Sequence, residues 1–170
     1  MKITHNDILW SKTLPDYCHF QDMVIAAIDL PKNAPLHCLE FGVGLADTSK
    51  RLLSSYSEAR LSMVDECEGT LNDAYTAFTE DIQSKTHTIH ATFQDFETDE
   101  KFDVSFSALS FHHLKRSEQI ELFQKIYDAL KDGGLLVIGD LFKSEDFDFQ
   151  MSTNSTYIQH RSSTLSESEQ

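Results

Sequence analysis

The chain has 170 residues, 40% of them hydrophobic and 25% charged, ordinary proportions for one globular domain and not for a disordered or fibrous chain. Asp and Glu number 28 against 14 Lys and Arg, and the resulting charge of −14 opposes binding to bare nucleic-acid backbones or anionic membranes. Cys18, Cys38 and Cys67 are too few and too scattered for a disulfide framework or a zinc knuckle, so no metal is expected.

Residues 1–35 read as an N-terminal helical lead-in, in which 22–30 carries apolar positions at helical spacing before Pro31 and Pro35 end it. Leu36 to Phe41 is a short buried strand that runs into the turn Gly42-Val-Gly44. A helix follows over 47–56 with Leu52 and Leu53 inward, then a second strand over 61–64 closed by Asp65 and Glu66. Leu71, Tyr75, Phe78 and Ile82 recur at spacings of three and four, which predicts one amphipathic helix over 69–84. Residues 87–91 form a third strand, 92–101 an acidic loop, and 102–107 a fourth strand. The next helix, 117–130, has Ile120, Phe123, Ile126, Tyr127 and Leu130 on one stripe. Lys131 to Gly134 is a helix-stop turn, and 135–140 a strand of the fully buried kind. From 143 to 170 the chain turns polar and reads as a C-terminal helix or tail. No apolar run reaches the roughly 18 residues of a bilayer span, and the N-terminus lacks the features of a signal peptide. The expected location is the cytoplasm.

Strands alternating with helices predict an α/β fold: a doubly wound, mostly parallel sheet of about five strands flanked by helices. Ligands of such sheets bind outside the carboxyl ends of the strands, so the residues after each strand are the ones that carry chemistry. They are Glu40, Gly42 and Gly44 after the first strand, Asp65 after the second, and Asp95 and Phe96 after the third. Ser110 and the pair His112-His113 follow the fourth, and Asp140 the fifth. Glycines at such a turn let the backbone approach a ligand, and an acid about twenty residues on commonly takes ribose hydroxyls. A dinucleotide fingerprint counted from Gly42 would end on Asp47, which breaks it and disfavours a nicotinamide-dependent oxidoreductase.

The frame Glu40-Phe-Gly42-Val-Gly44-Leu-Ala46 instead resembles the signature of class I S-adenosylmethionine-dependent methyltransferases. Met63-Val-Asp65, Thr92 to Phe96, Phe102 to Leu114 and Leu122 to Val137 resemble further segments of that family in the same order, over roughly residues 15–145. The resemblance implies an S-adenosylmethionine-binding core at 36–142 and a Rossmann-like methyltransferase fold whose C-terminal strand pair is missing. It also implies roles residue by residue. Glu40 and Gly42 to Gly44 would contact the methionine moiety and ribose, and Asp65 the ribose hydroxyls, with Glu66 or Cys67 beside the adenine. Asp95 and the Phe96 backbone would take the adenine edge, Ala108 and Ser110 would line the methionine end, and Tyr17 would close over the cofactor. Ala46 departs from the pattern, where many members have glycine. His113 is the candidate base for a small-molecule methyl acceptor, although paired histidines after a strand, here His112 and His113, are more often packing or solvent-facing, and Asp140 faces either substrate or solvent. Two alternatives stay open: a non-catalytic cofactor-binding or interaction module, and a relative that forms carboxy-S-adenosylmethionine for tRNA modification. An apolar fifth strand with no evident outer neighbour also predicts a homodimer.

Overall fold

The computed structural model describes residue 12 and residues 14–142 of the chain. Helix α1 (Tyr17–Ala26) leads into β1 (His37–Phe41), α2 (Asp47–Ser55) and β2 (Arg60–Asp65). Then come α3 (Glu68–Thr76), the short α4 (Glu80–Gln83), β3 (Thr86–His90) and β4 (Phe102–Ala108). A 3-10 turn (Phe111–His113), α5 (Arg116–Ala129) and β5 (Leu130–Gly139) complete the order. The five strands form one sheet in the order 3-2-1-4-5, and every pairing is parallel. The order reverses between β1 and β4, which opens a crevice at their carboxyl ends.

Alternation along the strands sends side chains to two separate cores. Cys38, Leu61, Met63, Val104 and Phe106 pack with Ile25, Leu52, Leu53 and Leu71 from the first three helices and with Phe78 just after α3. Leu39, Phe41, Val64 and Phe102 pack on the other face with Phe96, Phe111, Leu122 and Ile126. Far from the crevice, Asp103 ties the opposite end of the sheet together. Its Oδ2 accepts the His37 N–H at 2.7 Å and the Lys131 ammonium at 2.8 Å, and these donors hold its carboxyl below the usual range against the effect of burial.

Three elements differ from the sequence-based expectations. The single helix expected over 69–84 is two, because the backbone turns extended at Thr79 (φ −68°, ψ 159°). The Gln83 side-chain amide seals that break by donating to the carbonyls of Tyr75 and Phe78, each at 3.0 Å. The stop turn after α5 lies inside β5: Leu130 already pairs with Phe102, and Lys131 to Gly134 bulge out before Leu135 pairs with Val104. Gly133 supplies the left-handed residue of that bulge at φ +77°. Finally, α5 buries Leu122, Ile126 and Ala129, while Ile120, Phe123 and Tyr127 of the expected stripe stand exposed.

Among the described residues β5 has one strand neighbour, β4. The C-terminal helix or tail expected over 143–170, the expected lack of a strand pair after β5 and most of the lead-in before Tyr17 fall outside the described residues. No described helix is long and apolar enough to cross a membrane.

Candidate active site

The turn after β1 is built from backbone constraints. Gly42 and Gly44 take left-handed conformations at φ +78° and +48°, which glycine adopts without steric cost. The Gly42 N–H donates to the Val64 carbonyl at 2.9 Å, so the turn hangs on the end of β2. A Cβ at Gly42 would stand 2.0 Å from Ser110 Oγ, so only a glycine lets this turn meet the segment after β4. Ala46, in the position of the departing third glycine, is also left-handed at φ +58° and is fully buried. The strain of a left-handed alanine, about 1–2 kcal/mol, is sustained by the packing around it.

Asp65 closes the turn from the β2 side. Its Oδ2 accepts the Val43 N–H at 3.0 Å and its Oδ1 accepts the Cys67 N–H at 2.8 Å. The carboxylate is thereby fixed in position by two backbone donors from two elements. Each carboxylate oxygen can accept more than one hydrogen bond, so Asp65 can hold the turn and a ligand diol together.

A cleft of about 680 Å³ opens over this turn. Gly42, Val43, Gly44, Asp65, Glu66 and Cys67 form one wall, and Tyr17, Gln21, Asp47 and Thr48 a second. Phe93, Gln94, Ala108, Leu109, Ser110 and His113 complete it, with Lys115 and Glu118. Helix α1 is tied to α2 at three points. The Tyr17 hydroxyl donates to Asp47 Oδ2 at 3.1 Å, the Thr48 hydroxyl to the buried Gln21 carbonyl oxygen, and Arg51 Nε to Asp22 Oδ1 at 2.7 Å. Burial, with the Asp47 charge behind it, pushes the Tyr17 phenol well above its ordinary value, so it stays a neutral donor.

Of the residues singled out from sequence, Tyr17, Gly42, Gly44, Asp65, Glu66, Ala108, Ser110 and His113 all face this cleft. Glu40, Asp95 and Phe96 do not stand among its lining residues. Glu40 lies behind the turn, 1% exposed, accepting the Ser49 hydroxyl, and burial assisted by nearby Asp65 raises its carboxyl to about 8. Asp95 is exposed and closes its own loop by accepting the Thr92 hydroxyl at 2.7 Å. Phe96 is buried in the core, with its ring 5.0 Å from that of Phe41. The wall at this point is Phe93 and Gln94, two residues upstream of the expected pair. Gln21 and Thr48 are further lining residues that the strand-end rule could not reach, because both lie within helices away from any strand end. Leu109, directly after β4 and between two residues singled out from sequence, also lines the cleft and is left-handed at φ +55°.

The segment after β4 is held on several sides. The Leu109 N–H donates to the Gly139 carbonyl at 2.8 Å, prolonging the β4–β5 ladder past the end of β4. The Gln119 amide donates to the carbonyls of Phe111 at 2.9 Å and Leu114 at 3.3 Å. Asp140, whose side chain is 1% exposed, accepts the His112 backbone N–H on Oδ2 at 3.0 Å. Its Oδ1 lies 2.6 Å from His112 Nδ1 and accepts the Leu141 N–H at 2.7 Å. Among the described residues, no three His, Cys, Asp or Glu side chains stand together to hold a metal ion.

A parallel sheet of order 3-2-1-4-5, with a glycine turn and an acid at the crevice, is the architecture of the class I, Rossmann-like methyltransferases. Residues 38–134, more than half of the chain, match the family described as "Methyltransferase domain", and the chain belongs to it. Solved structures with the same fold include coclaurine N-methyltransferase bound to N-methylheliamine and SAH, at 17% identity and a TM-score of 0.62, over 72% of this chain and 35% of that one. The plantazolicin methyltransferase BpumL in complex with SAH matches at 18% identity and a TM-score of 0.63, over 98% of this chain and 65% of that one. An S-adenosylmethionine-dependent methyltransferase from Clostridium acetobutylicum matches at 18% identity and a TM-score of 0.64, over 77% of this chain and 54% of that one. This chain thus spans between about a third and two thirds of these solved proteins. No curated protein matches it in sequence.

Proposed function

We propose that the cleft over Gly42–Gly44 binds S-adenosylmethionine and that the chain transfers its methyl group to a small-molecule acceptor. The observation that carries this is the position of Asp65, fixed by Val43 and Cys67 at the lip of a turn where only glycine fits against Ser110. A carboxylate so placed recognises a vicinal diol by charge-assisted hydrogen bonds. The apolar face of Phe93 and the edge of Leu109 suit a planar base and an aliphatic chain, and Tyr17, Gln21 and Thr48 offer polar contacts on the opposite wall.

The bound cofactor supplies an electrophilic methyl: the acceptor's lone pair forms the new bond to that carbon, and the electrons of the broken carbon–sulfur bond stay on sulfur as a thioether. The chain's own contribution is mostly placement, since holding two reactants in line is worth roughly 7–11 kcal/mol of barrier. His113 on the cleft wall is the group that takes a proton from an acceptor that must lose one. The charge of −14 favours a small acceptor over a nucleic-acid one. The fold shared with coclaurine N-methyltransferase, bound to N-methylheliamine and SAH, and with the plantazolicin methyltransferase supports the same class. Calorimetric titration tests the proposal: S-adenosylmethionine should bind the parent and NADH should not, and equal affinity for both, or for neither, would refute it.

A further inference from the structure

We infer that Asp140 and His112 form a positioning pair that holds the His113 imidazole on the cleft wall as the acceptor's proton-taking group. The inference rests on the methyl-transfer proposal above and deepens it by giving the acceptor's chemical class. That class is a hydroxyl or an ammonium, a group with a proton to lose, not a thioether or a tertiary amine.

The Asp140 side chain, beside the loop after β4, is 1% exposed. A carboxyl group so enclosed needs donors to compensate the lost hydration. It has three: the His112 N–H, the His112 imidazole and the Leu141 N–H, at 3.0, 2.6 and 2.7 Å. Two of the three come from one residue. The short Nδ1 contact places the ring proton on Nδ1, facing Asp140, and so sets both the tautomer and the plane of the His112 ring. That ring lies 4.0 Å from the His113 ring, tilted by 44°. His112 thus transmits its fixed orientation to a neighbour that lines the cleft, as an orienting carboxylate does for a base one step further on.

The rest of the loop is restrained in the same direction. Gln119 holds the carbonyls on either side of the 3-10 turn, and Ser110 packs under Gly42, which fixes the turn's distance from the cofactor wall. Such restraint is more than a solvent-facing histidine needs, and suits a group that must meet a reacting atom. Among the described residues, the other titratable groups along the cleft are Lys115 and Glu118 on this side and Tyr17, Asp47, Asp65, Glu66 and Cys67 across it. When the acceptor's proton transfers, the His113 imidazole becomes an imidazolium, and the proton leaves to solvent when it is next deprotonated. Nothing further is consumed.

The test needs no acceptor. Long-range proton–nitrogen spectra of the ¹⁵N-labelled imidazoles, followed across pH, read the tautomer of His112 and the titration of His113 separately. In the parent, the neutral His112 ring should carry its proton on Nδ1. In Asp140→Asn and in His112→Gln, the His113 ring shifts and titration midpoint should move, with S-adenosylmethionine affinity kept within twofold. His112→Gln keeps a donor for Asp140, so it provides the answer where Asp140→Asn fails to fold. His113 curves that overlay the parent's in the folded variants would reduce the pair to a structural tie and overturn the inference. A parent that binds no S-adenosylmethionine would instead refute the methyl-transfer proposal, and the role of His113 with it.

Discussion

Replacing Gly42 by alanine would place a methyl group where the fold has no room, and the size of the penalty can be worked from two separate sources. The backbone at φ +78° costs an L-residue about 1–2 kcal/mol. The new Cβ would also meet Ser110 Oγ at 2.0 Å and Ser110 Cβ at 2.6 Å. Overpacking of that kind costs typically 1–3 kcal/mol as the neighbour is forced aside. Ser110 cannot swing away freely, because its hydroxyl donates to the Ala108 carbonyl at 3.2 Å and its loop is tied to β5 through Leu109. The sum is about 2–5 kcal/mol. In a Ser110→Gly background both clashing atoms are gone, and Gly42→Ala should then cost only the conformational part, about 1–2 kcal/mol. Urea denaturation of the four proteins measures both values, with the unfolding slope checked for constancy. The difference between them is a coupling energy of about 1–3 kcal/mol. Equal costs in the two backgrounds would mean that the turn and the β4 segment do not touch, and the cleft as described would not exist.

Asp65→Ala should weaken S-adenosylmethionine binding by roughly 1–3 kcal/mol while the chain stays folded, and calorimetry showing equal affinity would remove Asp65 from the site. Glu40 carries a proton to about pH 8 in the folded chain, above its unfolded value, so its contribution to stability is complete in acid and is lost as pH rises through about 8. Glu40→Gln should therefore flatten the fall in stability between pH 5 and 8, a change of slope that urea midpoints at several pH values would reveal. Tyr17→Phe removes the donor to Asp47 and should cost about 0.5–1.5 kcal/mol of stability, read from the same denaturation curves.

The parts of the site that were legible in the sequence are those fixed by backbone necessity. Gly42 and Gly44 announce a turn because no other residue takes their conformation cheaply, and Asp65 announces itself by its distance from them at a strand end. The parallel sheet itself followed from the alternation of strands and helices, while its order and register appear only in the fold. What stayed illegible depends on which side of a residue the chain covers. Glu40 and Asp65 are both acids at strand ends, yet one faces inward against Ser49 and the other outward at the cleft. The loop after β3 offers two aromatic residues three apart, and only packing decides that Phe93 meets the cleft while Phe96 enters the core. Periodicity along α5 marked Ile120, Phe123, Ile126 and Tyr127 as a face, but of these only Ile126 is buried, and it packs with Leu122 and Ala129. The pairing of His112 with Asp140 joins residues 28 positions apart and carries no local signal at all.

The aromatic wall sets the tempo of binding. Phe93 stands edge-on to Phe41 at 5.4 Å and to Phe111 at 5.9 Å, both of them fully enclosed, and Phe111 in turn rests on Phe123. A ring seated on two interlocked rings has little rotamer freedom left to lose, so a planar ligand arriving against it immobilises almost nothing new. The Lys125 ammonium clasps the carbonyls of Gln94 and Phe96 and keeps the backbone beneath it from drifting. On the proposed function, cofactor capture at this wall is a collision with a finished surface, and its observed rate should climb in proportion to ligand concentration without levelling off at a rearrangement step.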